Sequence, residues 1–107
     1  MGLDVTLTAI RPTEVFTKDI THNLGQMAKA ADLYEALWRP EEVDITHARQ
    51  LVGQLKIGLE RLLADPDHFK LFNPSNGWGD YEGLVSFIKA YLKACEENPD
   101  ATVEVSR

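Results

Sequence analysis

Both ends of this chain alternate between apolar and polar residues, and no other feature of the sequence constrains the fold as strongly. Residues 3–10 place Leu3, Val5 and Leu7 on one face of an extended chain, and residues 101–106 alternate in the same way. A period of two residues is typical of a half-buried strand. Helical patterns lie between these two strands, so we expect both ends of the chain to meet in one sheet. The predicted fold class is α+β, with a small sheet of two or three strands and three main helices packed on one face.

A short hairpin is predicted after the first strand. Residues 11–14 include a proline and form the turn, and residues 15–17, which are rich in strand-forming side chains, return as a short second arm. A chain of 107 residues is long enough for one core, so residues 1–107 are expected to form a single domain.

The first helix is predicted to begin at Thr21, whose hydroxyl can cap the first free amides. Apolar residues follow it at helical spacing, and this pattern falters at Asp32. Residues 33–38 are expected to form a separate helical turn, because Pro40 excludes the α conformation at Arg39.

Two longer helices follow. The second is predicted over residues 46–64 with an apolar stripe on one side, and Gly58 lies on that stripe. A glycine there costs about 1 kcal/mol of helix propensity, so we expect another element to approach it closely. The third helix is predicted to begin near Tyr81, with Gly79 or Asp80 as its cap, and to end before the Asn-Pro pair that precedes the last strand.

The loop at residues 69–81 combines residues that favour turns with large aromatic side chains. The aromatic residues are Phe69, Phe72, Trp78 and Tyr81. Asparagine, glycine and proline favour exposed turns, whereas aromatic rings favour burial. Two interpretations fit: a loop that satisfies its backbone through Asn73, Asn76 and Asp80 and plugs the end of the core, or a pocket wall that offers aromatic faces and amides to a ligand.

Charge and residue composition argue against several classes of partner and of chemical site. The net charge is −6 with scattered acidic residues, which argues against nucleic acid or an anionic membrane as partner. The one cysteine, Cys95, lies in a helical apolar pattern and is expected to be a core residue, which leaves no disulfide and makes the cytoplasm the default location. Because no histidine has a partner at ligand spacing, we expect no metal, and no motif indicates a cofactor.

Three segments carry polar and aromatic residues that the fold does not require. They are His22 and Asn23 at a helix start, Trp38 and Arg39 before a proline, and Asn73, Asn76, Trp78, Asp80 and Tyr81 in and after the loop. The first and third segments border helix starts, where amides and the helix dipole favour anions. With Arg39 added, they predict a site for a phosphate or carboxylate, with Trp78 or Tyr81 stacked on a ring.

Each of these residues also has a structural interpretation. His22 fits a packing or surface histidine, Arg39 fits a stack on Trp38 or an ion pair with a neighbouring glutamate, and Trp78 fits a core anchor. A catalytic alternative pairs His22 as a base with Asp19 or Asp80. No nucleophile or phosphate-loop motif accompanies it.

Four sequence segments resemble those of a family of small uncharacterised proteins of tailed bacteriophages, prophages and their bacterial hosts. They are Ile-Thr-His-Asn-Leu at residues 20–24, Tyr-Glu-Ala-Leu-Trp-Arg-Pro-Glu-Glu at 34–42, Asn-Pro-Ser-Asn-Gly-Trp-Gly-Asp-Tyr-Glu-Gly-Leu at 73–84, and Pro-Asp-Ala-Thr at 99–102. The resemblance implies a setting and no activity. In that pattern a glycine often stands where this chain has Asp32, which fits a helix that ends in a left-handed residue.

Three functional hypotheses follow. The first is a binding module, monomeric or homodimeric, that recognises a small anionic or nucleotide-like ligand or a host protein. The second is an adaptor or inhibitor that acts on a host factor through an acidic surface. The third is a small hydrolase or transferase that uses His22.

Overall fold

The two ends of the chain meet in one sheet, as the alternation predicts. The computed structural model describes residues 2–9 and 14–107. Three antiparallel strands, β1 (Gly2–Thr8), β2 (Glu14–Thr21) and β3 (Thr102–Ser106), lie in the order β2-β1-β3. The α+β class is therefore confirmed. The predicted turn at residues 11–14 lies, except for Glu14, outside the described residues.

The second arm of the hairpin is longer than predicted. Strand β2 has eight residues and pairs with β1 from Leu7↔Phe16 as far as Gly2↔Thr21. The prediction stopped at residue 17 because Lys18 and Asp19 break the apolar pattern. Both side chains are exposed on a strand at the edge of the sheet, where charged residues are tolerated.

Helical segments cover one face of the sheet. A 3-10 turn, His22–Leu24, runs directly into α1 (Gly25–Ala30) and is followed by α2 (Tyr34–Trp38) and a second 3-10 turn, Pro40–Val43. The remaining helices are α3 (Arg49–Ala64), α4 (Pro66–Lys70) and α5 (Tyr81–Glu97). Within the described chain, no helix combines the length and apolar character that crossing a bilayer requires.

Helix α1 ends just before Asp32, where the apolar pattern predicts a break, and Asp32 is left-handed. Asp32 has φ 62°, its amide donates to the Lys29 carbonyl at 3.0 Å, and the Leu33 amide donates to the Ala28 carbonyl at 2.8 Å. This pair of bonds is the Schellman arrangement that closes many helices. The bend sends the chain back across α3, where Leu33 is fully buried.

Gly58 receives the close neighbour that its position predicts. A Cβ atom built on Gly58 would lie 2.3 Å from Cδ2 of Leu33. Helix α3 begins at Arg49 and not at Thr46, because residues before it are held by β3. The Val103 amide donates to the Thr46 carbonyl at 2.9 Å, which keeps this segment extended.

The core lies between the sheet and the helices. Strand β1 contributes Leu3, Val5 and Leu7, all fully buried, and α5 contributes the largest buried rings. Cys95 is buried as predicted, and burial raises the pKa of its thiol to about 12. The thiol is therefore protonated at neutral pH and acts as a small core side chain.

Candidate functional site

The loop between α4 and α5 is bonded to itself by the three side chains that the sequence indicates. The Oδ1 atom of Asn73 accepts from the Tyr81 amide at 2.8 Å, and the Oδ1 atom of Asn76 accepts from the Trp78 amide at 2.9 Å. Asp80 caps α5 by accepting from the Gly83 amide at 2.7 Å. The loop therefore has a fixed backbone without help from a ligand.

The two ends of this loop are anchored in the core. Phe69 and Tyr81 are buried, and the Tyr81 hydroxyl donates to the Leu62 carbonyl at 2.6 Å. Gly79, at φ 92°, packs so closely that an added Cβ would lie 2.6 Å from Cγ2 of Thr21. These contacts fit the plug interpretation for the ends of the loop.

The tip of the loop behaves differently. Trp78 is 70% exposed, so its interpretation as a core anchor is wrong. The physical reason is the backbone: Gly77 and Gly79 on either side have φ 76° and φ 92°, and this left-handed geometry turns the intervening side chain outward. The loop is thus a plug at its ends and an exposed indole at its tip.

A groove of about 770 Å³ lies beside this indole. One wall is the end of β2 and the turn after it, and the other is the loop tip and the first turns of α5. Its lining includes Lys18, Ile20, Asn23, Asn76, Trp78 and Phe87. Three of the nine predicted site residues, Asn23, Asn76 and Trp78, therefore meet there.

Two charged residues, Lys18 and Asp19, line the groove. Val5, whose side chain is buried against the helices, pairs with Lys18, so the lysine lies on the helix-facing side of the sheet. Its neighbour Asp19 also lines the groove but follows the opposite side of the strand. Among the described residues, Lys18 forms no ion pair within 4.0 Å. The sequence pattern does not single out this lysine, because its position beside the groove depends on the pairing register of β1 and β2.

The other predicted site residues lie elsewhere. Trp38 is only 2% exposed, with its ring stacked on Tyr34 at 5.4 Å and His22 edge-on at 6.1 Å. Arg39 pairs with Glu42 at 3.7 Å. Neither His22 nor Arg39 lines the groove.

The predicted gathering of His22, Arg39 and Trp78 is therefore not what the structure shows. The 3-10 turn separates neighbouring side chains: His22 contacts Trp38, whereas Asn23 faces the groove. Arg39 satisfies its charge locally, as its structural interpretation proposed.

Each of the two helix starts already has a side chain that caps one of its amides. Asp80 already places a carboxylate on the first turn of α5, and the Thr21 hydroxyl accepts from the Asn23 amide at 3.3 Å. A second anion at α5 would meet the charge of Asp80, which disfavours it. The cationic side chain available to an anionic group in the groove is Lys18.

Catalytic pairing is also absent from the described residues. His22 makes no hydrogen bond or ion pair with Asp19 or Asp80 there, and its ring contact is with Trp38. Burial raises the pKa of the Cys95 thiol to about 12, and a protonated thiol is a poor nucleophile.

A second hollow of about 680 Å³ lies on another side of the molecule. Asp32, Glu35 and Asp44 give it an acidic lining, and Gln50 and Gln54 complete it by donating to the carbonyls of Asp44 and Asp32. No group of His, Cys, Asp or Glu in the described chain is arranged to hold a metal ion.

Searches against protein-family models, curated proteins and solved structures found no significant match to this chain. The function is therefore argued from the groove itself.

Proposed function

We propose that this protein is a non-enzymatic binding module and that the groove between β2 and α5 is its contact site for a protein partner. The observation that carries the proposal is the exposure of Trp78: an indole 70% open to solvent on a loop whose backbone is held by its own side chains. Tryptophan is among the residues that most often dominate binding at protein interfaces.

The energy available at this indole is large. A tryptophan presents roughly 250 Å² of surface, of which about 70% is exposed here. Covering that area with a partner would contribute up to about 4 kcal/mol at roughly 25 cal/mol per Å², before the entropic cost of association is subtracted. Because the loop is already ordered, less of this energy would be lost in fixing its conformation.

The surroundings of Trp78 have the composition of a contact patch. Ile20, Leu24 and Phe87 supply an apolar floor, while the amides of Asn23 and Asn76 supply a polar rim. On the strength of the resemblance to phage proteins alone, we place the partner among the proteins of a bacterial host cell.

A second candidate is a small ligand with an aromatic ring and one negative charge. The groove volume suits a small molecule, and Trp78 and Lys18 could take the ring and the charge. The single lysine and the net charge of −6 favour a protein partner over a nucleotide with several phosphates.

Affinity capture from bacterial lysate tests the proposal. The bait proteins are the wild type, Trp78→Ala, and Leu71→Ala as a matched control, because Leu71 is 81% exposed in the same connection but does not line the groove. We expect one partner to be retained by the wild type and by Leu71→Ala and lost with Trp78→Ala. Equal retention by all three would refute the groove as the contact site.

A thermal-shift panel of nucleotides and cyclic nucleotides tests the second candidate. A ligand at one hundred times its Kd stabilises the folded state by about 2.7 kcal/mol, which is readily measured. Stabilisation that disappears in Trp78→Ala would favour the small ligand, and unchanged melting curves across the panel would count against it.

A further inference from the structure

The two edges of the sheet are treated differently by the fold. The outer edge of β3 is covered at its first residues by the chain itself: the Val103 amide donates to the Thr46 carbonyl at 2.9 Å, and His47 forms a bridge with Thr102. The Ala48 amide extends this contact by donating to the Ala101 carbonyl at 2.9 Å. A short extended segment therefore already pairs with the start of β3.

The outer edge of β2 has no such cover among the described residues. Strand β2 is last in the order β2-β1-β3, and no backbone group of residues 15–20 bonds to a segment outside the sheet. An open edge presents alternate amides and carbonyls that can pair with another extended chain. This edge borders the groove that holds Trp78.

The charge of Lys18 determines which kind of extended chain can pair with the edge of β2. Two copies of β2 paired about a twofold axis through its centre would set Lys18 directly opposite or diagonal to its own counterpart. Like charges at these positions are destabilising, so the strand disfavours a second copy of itself. The same lysine would pair favourably with an acidic side chain on a different strand.

We infer that the partner docks by adding an extended strand to the open edge of β2, with an acidic side chain opposite Lys18 and apolar side chains two residues away on either side. Those apolar side chains lie opposite Phe16 and Ile20, which share the helix-facing side with Lys18. The added strand would continue the sheet beside Trp78. This inference rests on the proposed function and names the form of its partner.

The pattern gives a defined probe. It is an end-blocked peptide, Thr-Val-Thr-Glu-Thr-Val-Thr, in which the central glutamate meets Lys18 in either strand direction. The comparison peptide has lysine in place of the glutamate. The protein variants are Lys18→Glu and, as the matched control, Lys89→Glu, an exposed lysine of α5 that does not line the groove.

The readouts are peptide affinity from NMR titration and hydrogen exchange of the β2 amides. We expect the wild type and Lys89→Glu to prefer the glutamate peptide by about fivefold, the ratio that a favourable cross-strand charge pair supports. Lys18→Glu should reverse the preference. Exchange should slow at alternate amides of residues 15–20.

The possible failures are distinguishable. Peptide-induced shifts at Trp78 and Gly79 without slower exchange in β2 would overturn strand addition and leave the groove as a contact site. If the peptide does not bind while capture from lysate still depends on Trp78, strand addition is likewise overturned and the groove is still the contact site. Concentration-dependent dimerisation with protection of β2 in the protein alone would also overturn the inference, because the edge would then be occupied by a second copy.

Discussion

Helix α3 contains two glycines whose replacement by alanine should have opposite effects on stability. Gly58 faces Leu33, and a Cβ on Gly58 would lie 2.3, 2.4 and 2.6 Å from three carbon atoms of that side chain. Gly53 lies in the same helix, and a Cβ added to it would have no neighbouring atom within 4 Å. The pair therefore separates the packing effect of a methyl group from its effect on helix propensity.

The magnitudes follow from these contacts. Carbon atoms in a core normally approach to about 3.5–4.0 Å, so Gly58→Ala demands a displacement of about 1 Å or more. Leu33 is fully buried and has little room to move. Overpacking of this kind costs about 1–3 kcal/mol, against roughly 1 kcal/mol gained in helix propensity. We expect Gly58→Ala to destabilise the fold by up to about 2 kcal/mol and Gly53→Ala to stabilise it by about 0.5–1 kcal/mol.

Thermal and urea unfolding of the two variants measure this difference. A separation of about 2 kcal/mol corresponds to roughly 10 °C in Tm for a domain of this size. Leu33→Ala in the Gly58→Ala background should cost less than it does in the wild type, because the two changes share one space. If Gly58→Ala proves as stable as Gly53→Ala, the close approach of Leu33 to α3 is not the reason for that glycine.

Four further changes probe single contacts. Tyr91→Phe should raise stability by about 1 kcal/mol in urea unfolding, because its buried hydroxyl has no partner among the described residues; a loss would indicate a hidden bond. Asp32→Gly should add about 0.5–1 kcal/mol to the free energy of unfolding by relieving a left-handed aspartate at φ 62°, and an unchanged urea midpoint would speak against strain there. Asp80→Ala should remove the cap of α5 and cost about 1 kcal/mol, visible as faster amide exchange in its first turn. The hydrogen bond from Arg107 lowers the pKa of Glu41 below its ordinary value, so this pair stabilises the fold at neutral pH and its contribution is lost as the pH falls through the lowered pKa. Glu41→Gln should therefore lose less stability than the wild type between about pH 6 and about pH 3, and parallel profiles would contradict the pairing.

Much of the fold follows from short-range patterns in the sequence. The alternation at both ends predicts β1 and β3, because a strand with one buried face has a period of two. The sequence predicts Thr21 as one cap and Gly79 or Asp80 as another, and the side chains of Thr21 and Asp80 accept backbone amides at helix starts. Gly58 predicted a close neighbour without naming it. In each case the deciding interaction involves one helix turn or one strand face.

The errors lie where distant segments decide the local structure. The sequence predicts that α3 begins at Thr46, three residues before its start in the structure. The hydrogen bond from Val103 that keeps Thr46 extended comes from a distant part of the chain, so the residues around Thr46 do not indicate it. The length of β2 was underestimated, since Lys18 and Asp19 are acceptable only on an edge strand. The position of an element in the sheet is a property of the whole chain.

The candidate site was predicted in part. Asn23, Asn76 and Trp78 share the groove, whereas Asn73, Asp80 and Tyr81 hold the loop in place. The sequence did not indicate that His22 and Asn23 face different neighbours, because one residue of a 3-10 turn changes the direction of a side chain by about 120°. The binding roles of these residues stay predictions.

The loop tip departs from what stability alone would favour. An indole left in solvent forgoes about 4 kcal/mol of burial, and the two left-handed residues beside it are glycines, which carry a further entropic cost. Two asparagine side chains of the same loop hold its backbone in place by accepting hydrogen bonds from backbone amides. Departures from local stability concentrate at functional sites. Because the exposed ring, the ordered backbone and the open edge of β2 border one groove, the proposed partner would account for the departure with a single contact if it covered all three.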